Sequence, residues 1–209
     1  MINKYPPAHH QEGNFENIVE VIKSYPLATL ISVHENELYT THLPLIYEKD
    51  KTKFGKLVAH IDKYNPHVKA LTDEKEVTAI FHGPETYISP AIYTTSQLPT
   101  WNYIKAHIKG TVTRYNNREK VKQTMIRMTT FLEHPKHLYT LEQDDPKMEA
   151  ALDYVVGFEI NITAWEGKFK WSQDKLPRDQ KLAKETLIKN QQKGIASFID
   201  RLFEKHQHK

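Results

Sequence analysis

The sequence predicts an α+β fold: a closed antiparallel β-barrel with helices packed outside it. Three observations lead there. Short runs rich in β-branched and aromatic residues recur between polar or proline-bearing turns, as at residues 27–33, 56–61 and 77–82. Two segments, opening at Asn14 and Asn117, carry apolar residues at helical spacing. The chain then ends on a third helical pattern.

Taken in order, Asn14 caps a helix whose Phe15, Ile18, Val21 and Ile22 share one face, and Pro26 stops it. Residues 27–33 read as a strand, 34–37 as a polar hairpin turn, and 38–47 as the returning strand. A charged turn over 49–55 leads to a third strand at 56–61. Asn65-Pro66 opens a short helix, since proline suits a first helical turn. Further strands are expected at 77–82, 87–89 and 102–115, with Gly83-Pro84 and Ser89-Pro90 as turns. After Asn117, the stripe Val121, Met125, Met128 and Leu132 is core packing, and its methionines need no cofactor to explain them. A short helix is expected at 147–152. Residues 155–162 and 168–171 then form a closing hairpin through Glu166-Gly167. The end is helical through Leu182, Leu187 and Ile188, then Ile195, Phe198, Ile199, Leu202 and Phe203, broken near Gly194. With no repeat, low-complexity tract or linker, residues 1–209 read as one domain with a helical C-terminal extension from about 178.

Composition narrows the function classes. At 39% hydrophobic and 26% charged, the 209 residues suit a soluble globular chain. No apolar run approaches bilayer-spanning length, and MINKYPPAHH lacks the apolar stretch of a secretory signal. With no cysteine there is neither disulfide nor thiolate metal site, and a cytoplasmic location is expected. The net charge of +3 is too small to argue for nucleic acid. Residues 168–209, however, hold eleven basic and five acidic side chains, compatible with DNA, with an acidic partner, or with a solvated helical face.

Seven glycines form no G-x-G pair and no GK[ST], so dinucleotide and P-loop signatures are absent, as is G-x-S-x-G. A phosphate would need side chains and isolated amides. The best place is His60-Ile-Asp-Lys63-Tyr-Asn65-Pro66, a strand-to-helix junction with a cation at Lys63 and donors at His60 and Asn65. The same residues also fit an Asn65 cap beside a solvent lysine, and Asp62 would repel a phosphate unless it points away. Pro44 places Thr41-His42-Leu43 on a strand edge or bulge, with unpaired backbone groups that match a flat heteroaromatic ring. In 99–110, Trp101 and Tyr103 alternate with Asn102, putting rings on one face of a strand and an amide on the other. That suits a wall for a flat ligand or an ordinary barrel. Of the twelve histidines, His134 and His137 have H-x-x-H spacing, but Pro135 breaks the helix that would align them. His9-His10 and His206-Gln-His208 lie at termini expected to fray, and no metal site is expected.

Several of these segments together resemble the PaiB family of FMN-binding split-barrel proteins, described as negative transcriptional regulators. The resemblance is carried by Ala28-Thr-Leu-Ile-Ser32, Thr41-His-Leu-Pro-Leu45, Ala59-His-Ile-Asp-Lys-Tyr-Asn-Pro66, the segments 78–90 and 99–110, Val156-Gly-Phe-Glu-Ile160 and Gly167-Lys-Phe-Lys-Trp-Ser-Gln173. It implies a split barrel, FMN as cofactor, and a homodimer with the cofactor site at the subunit interface. It also implies that His60, Lys63 and Asn65 hold the FMN phosphate, and that Thr41, His42 and Leu43 run along the ring. Trp101, Asn102, Ser172 and Gln173 belong to the same implied site. The chain departs from the family pattern where Ser-Pro-Ser-Trp-Tyr reads Ser89-Pro-Ala-Ile92-Tyr93, at Trp171, and at Arg178-Asp179, which is reversed.

The expected function is therefore an FMN-binding regulator. A flavin-dependent oxidoreductase similar to pyridoxamine-phosphate oxidases is the alternative, and a haem-binding split barrel a third. No catalytic acid–base pair stands out, and no helix pair reads as a helix-turn-helix.

Overall fold

A computed structural model of the chain describes residues 7–192. After a two-residue strand β1 (Gln11–Glu12), α1 (Phe15–Ser24) starts where the Asn14 side chain accepts the Glu16 N–H at 3.0 Å. It ends at Tyr25, ahead of Pro26, having buried Ile18, Val19, Val21 and Ile22. β2 (Leu27–His34) and β3 (Glu37–Pro44) form a hairpin whose turn residues Glu35 and Asn36 both have positive φ, 51° and 63°. Two left-handed residues match the natural twist of a tight hairpin. The chain continues through β4 (Ile46–Glu48), β5 (Lys56–Asp62), a 3-10 turn Pro66–Lys69, β6 (Glu76–Ile88), a 3-10 turn Pro90–Ile92 and β7 (Thr100–Arg114). It closes with α2 (Arg118–Glu133), α3 (Pro146–Ala151), β8 (Val155–Lys170) and α4 (Pro177–Gln192).

The strands lie in the order β3-β2-β6-β7-β8-β5-β4, with β1 against β8. The pairs β2/β3, β2/β6, β4/β5 and β5/β8 are antiparallel, with Thr29 opposite His42 and His60 opposite Gly157. This is the α+β antiparallel split-barrel class that the sequence predicts. The C-terminal helical pattern is present as α4, and its continuation past Gly194 lies outside the described residues.

Four local expectations are corrected. Gly83-Pro84 is no turn: β6 runs straight through it, because extended backbone already meets the φ of proline and the restriction on the residue before it. Glu166-Gly167 is no hairpin either, since β8 is a single strand of 16 residues. Gly167 serves close approach instead: a Cβ there would lie 2.5 Å from Glu12 Cβ and 2.6 Å from Ile18 Cδ1. The strand expected over 38–47 breaks at Leu45 after Pro44, whose missing N–H ends the ladder. On α2 the buried positions are Val121, Thr124 and Met128, while Leu132 is 48% exposed.

The chain divides into two compact units, with the division falling inside β6, β7 and β8. The larger comprises residues 12–83 and 105–168. Its core includes Leu30, Leu57, Phe81, Ile108, Phe158 and Ile160, each essentially inaccessible. β5 is covered on both faces, since Val58 also packs with Ile46, Met128 and Phe131. Tyr115 and Lys56 both reach Glu159, at 2.7 Å each, and Arg127 reaches Glu48 at 2.8 Å. The smaller unit holds the described residues 7–11, 84–104 and 169–192. There the fully buried Asp179 fastens α4, accepting the Thr94 N–H and hydroxyl at 2.8 Å each and the Thr95 hydroxyl at 2.7 Å. Those donors, the Thr94 N–H first, hold its carboxyl below the usual carboxylate range. Among the described residues no helix is long and apolar enough to cross a membrane.

Candidate functional site

In the larger unit, the chain leaving β5 builds a groove of about 710 Å³ lined by Lys63, Tyr64, Asn65, Pro66, Val68, Lys69, Thr72 and Arg114. Three of these side chains are cations and none is a carboxylate. Asp62, the expected source of repulsion, is not on the wall, because its carboxylate turns back to accept the Tyr64 N–H at 2.8 Å. Lys63 donates to the Asp153 carbonyl oxygen, and its ammonium lies 5.3 Å from the Tyr64 ring centroid and 5.0 Å from that of Tyr154. Neither Lys69 nor the Arg114 guanidinium has a carboxylate partner among the described residues. Three positive charges with no carboxylate among the lining residues favour a multiply charged oxyanion, the nearby Asp73 carboxylate being occupied with the Arg114 backbone N–H at 2.7 Å.

The helix start expected at Asn65-Pro66 is the four-residue turn Pro66–Lys69, and Asn65 Oδ1 already accepts the His67 N–H at 2.9 Å. Side-chain cations, rather than free helix amides, are therefore what this groove offers an anion. Two of them, Lys69 and Arg114, escape a reading of local motifs: Arg114 arrives from the far end of β7.

Asn65 joins a second group. Its amide donates to Thr41 Oγ1 at 3.3 Å, and Thr41 Oγ1 lies 2.9 Å from His67 Nδ1. His67 is buried, and its Nε2 lies 2.7 Å from Ser32 Oγ. Burial lowers its pKa from the ordinary histidine range, so the ring is neutral at pH 7 and shares its two nitrogens between the two hydroxyls. Sequence reading singled out neither Ser32 nor His67, since the contact joins residues 35 apart.

The expected neighbours of Thr41 go elsewhere. Leu43 is buried in the core. His42 points to the opposite face of β3, its Nδ1 3.0 Å from Thr29 Oγ1, which also lies 3.0 Å from His82 Nε2. β3 stands at one end of the strand order, as Pro44 predicts. His60 sits on the face of β5 that Val58 turns to α2. Its Nδ1 is buried without a hydrogen-bond partner among the described residues, and burial lowers its pKa.

The other expected residues belong to the smaller unit. Asn102 and Ser172 are both buried and paired: Asn102 Nδ2 donates to Ser172 Oγ at 2.9 Å, and the Tyr93 hydroxyl lies 2.7 Å from the same oxygen. Gln173 donates to the His9 carbonyl oxygen at 2.7 Å and accepts the Trp171 N–H at 2.9 Å. Trp101 is 55% exposed, with the Tyr87 ring 6.4 Å away. His10, expected in a frayed terminus, is buried. His134 and His137 approach each other at 5.6 Å between ring centroids, but among the described residues no three potential metal ligands cluster.

Comparison with known proteins agrees with this architecture. The chain is 26% identical over 176 residues to the protease synthase and sporulation protein PAI 2 of Bacillus subtilis, with 84% of each chain covered. In three dimensions it resembles an FAD and heme binding protein from Mycobacterium smegmatis (TM-score 0.61, 15% identity, 83% of this chain and 80% of that one). A conserved hypothetical protein from Mycobacterium tuberculosis is similar in the same way (TM-score 0.57, 14% identity, 83% and 94% covered). At such identities the two structures speak for the fold alone. The profile of the family described as "Putative FMN-binding domain" matches residues 4–164, and the chain belongs to that PaiB-like family.

Proposed function

We propose that the protein binds FMN and seats its phosphate in the groove of Lys63, Lys69 and Arg114. The observation that carries this reading is the three-cation wall without a carboxylate, which a phosphate dianion complements and a neutral ligand does not. Asn65 and Thr41, tied to each other beside that groove, are the proposed polar contacts, and the edge of β3 at Thr41, His42 and Leu43 the proposed backbone contact for the ring. The bound flavin would supply electron-transfer chemistry, and these side chains would position it. Within the smaller unit, Asn102, Ser172 and Gln173 spend polar groups on the protein itself, which supports a structural role for them there. His60, whose buried Nδ1 meets no hydrogen-bond partner among the described residues, is proposed to shape the strand end beside Lys63.

A flavin titration tests the assignment. Lys63→Ala and Arg114→Ala should each weaken FMN by about tenfold or more, with much smaller effects on riboflavin, which lacks the phosphate. Equal losses for the two ligands, or no flavin binding at all, would overturn it.

We further propose a homodimer formed through the outer face of β2 and β3, where Leu27, Val33 and Leu38 are 60%, 61% and 68% exposed. A cytoplasmic regulator acting on DNA is the cellular role we favour, supported by the likeness to PAI 2 and by exposed Lys181, Lys184 and Lys189 on α4.

A further inference from the structure

His67 grips the Asn65 side-chain amide at both ends. Its backbone N–H donates to Asn65 Oδ1 at 2.9 Å. Its ring Nδ1 lies 2.9 Å from Thr41 Oγ1, which in turn accepts from Asn65 Nδ2 at 3.3 Å. Asn65 lines the three-cation groove, whereas neither His67 nor Ser32 does. With Oδ1 held by a backbone donor, the amide is fixed against turning over, and the second hydrogen on Nδ2 meets no acceptor among the described residues.

Burial sets the order of protons along this chain. The His67 ring is 1% exposed, and burial lowers its pKa, so at pH 7 it is neutral and carries a single N–H. Ser32 is 4% exposed, and beyond His67 Nε2 at 2.7 Å its hydroxyl has no partner among the described residues. A buried hydroxyl proton without an acceptor is costly, so Ser32 donates to Nε2 and the ring proton sits on Nδ1. Nδ1–H then donates to Thr41 Oγ1, which already accepts from Asn65. Both lone pairs of that oxygen are taken, and the Thr41 hydroxyl proton points away from both donors. Thr41 is only half-buried, so a ligand can take up a proton that Ser32 has no means to offer. We propose that Ser32 and His67 are positioning residues, which turn the Thr41 hydroxyl and the second Asn65 N–H into donors for the ligand's phosphate. This rests on the phosphate reading of the groove. An oxyanion, which only accepts, completes such a chain, and a ligand offering a donor there does not.

Two measurements test it. In the unaltered chain without ligand, the ¹⁵N resonances of the His67 ring should show the Nδ1–H tautomer. Titrations with FMN and riboflavin then read the donors. Thr41→Val and His67→Leu should each weaken FMN by about fivefold and riboflavin much less. Thr41→Ser keeps the hydroxyl and His67→Asn keeps a donor in the place of Nδ1, so both should retain most of the FMN affinity. A purely structural role would weaken the two flavins alike. A variant that fails to fold drops out, and the tautomer of the unaltered chain then decides. An Nε2–H tautomer, equal losses for the two flavins, or unchanged FMN affinity in a folded Thr41→Val would each overturn the proposal while leaving the phosphate reading in place. An unaltered chain that binds no flavin would overturn both.

Discussion

Ser32 and His67 meet through a 2.7 Å contact between a hydroxyl on β2 and an imidazole just after the β5 end, both buried. Thr41 takes the other ring nitrogen at 2.9 Å, so a neutral ring spans two strands. Because burial lowers the His67 pKa below 6.5, the unfolded chain binds more protons than the folded one as pH falls below that value. Stability should be complete above pH 6.5 and decline below it. The same direction holds for His10, His60 and His107, each lowered chiefly by burial. Denaturant unfolding between pH 7.5 and 5 should show this decline, with a shallower slope in His67→Gln by up to about 1.4 kcal/mol per pH unit. A slope unchanged in the variant would show that His67 does not couple folding to pH.

Gly167→Ala should destabilise the protein by about 1–3 kcal/mol, the usual cost of overpacking. The added methyl would meet Glu12 Cβ at 2.5 Å and Ile18 Cδ1 at 2.6 Å, and Ile18 is fully buried on α1. The control is Gly13→Ala, where the added Cβ meets nothing within 4 Å. Urea midpoints that are alike for the two variants would remove the close-approach explanation.

The exposed apolar face of β2 and β3 predicts an oligomeric state. Leu38→Glu, at a position 68% exposed, should leave the fold intact and shift light scattering from dimer to monomer. Bound FMN should raise the thermal midpoint of the unaltered protein by linkage. A monomer at micromolar concentration before any substitution would end the dimer proposal.

Regulator and oxidoreductase separate by salt and turnover. If α4 contacts DNA, affinity should fall steeply with salt, and reversing charge at Lys181, Lys184 and Lys189 together should weaken all sequences alike. An oxidoreductase would instead reduce its flavin with NAD(P)H or a substrate, at a rate indifferent to those lysines. Rapid turnover with no DNA binding at low salt would decide for the enzyme.

Local patterns were enough to place most elements. The Asn14, Asn65 and Asn117 caps are each realised, because a cap is a contact over two or three residues. The Glu35-Asn36 turn and the edge position of β3 follow from equally local chemistry. Lys63 and Asn65 lie in the groove for the same reason: they are two residues apart on one turn. What the sequence left undecided was whether a breaker would break. Pro84 and Gly167 read as turns, yet each lies inside a long strand, because neighbouring strands and α1 already hold the backbone extended there. Tertiary packing alone decided that Arg114 and Lys69 share a wall with Lys63, that Asn102 and Ser172 pair across 70 residues, and that His10 is buried. Such contacts depend on which strands become neighbours, and that is settled by burying a whole sheet face rather than by any short run of residues.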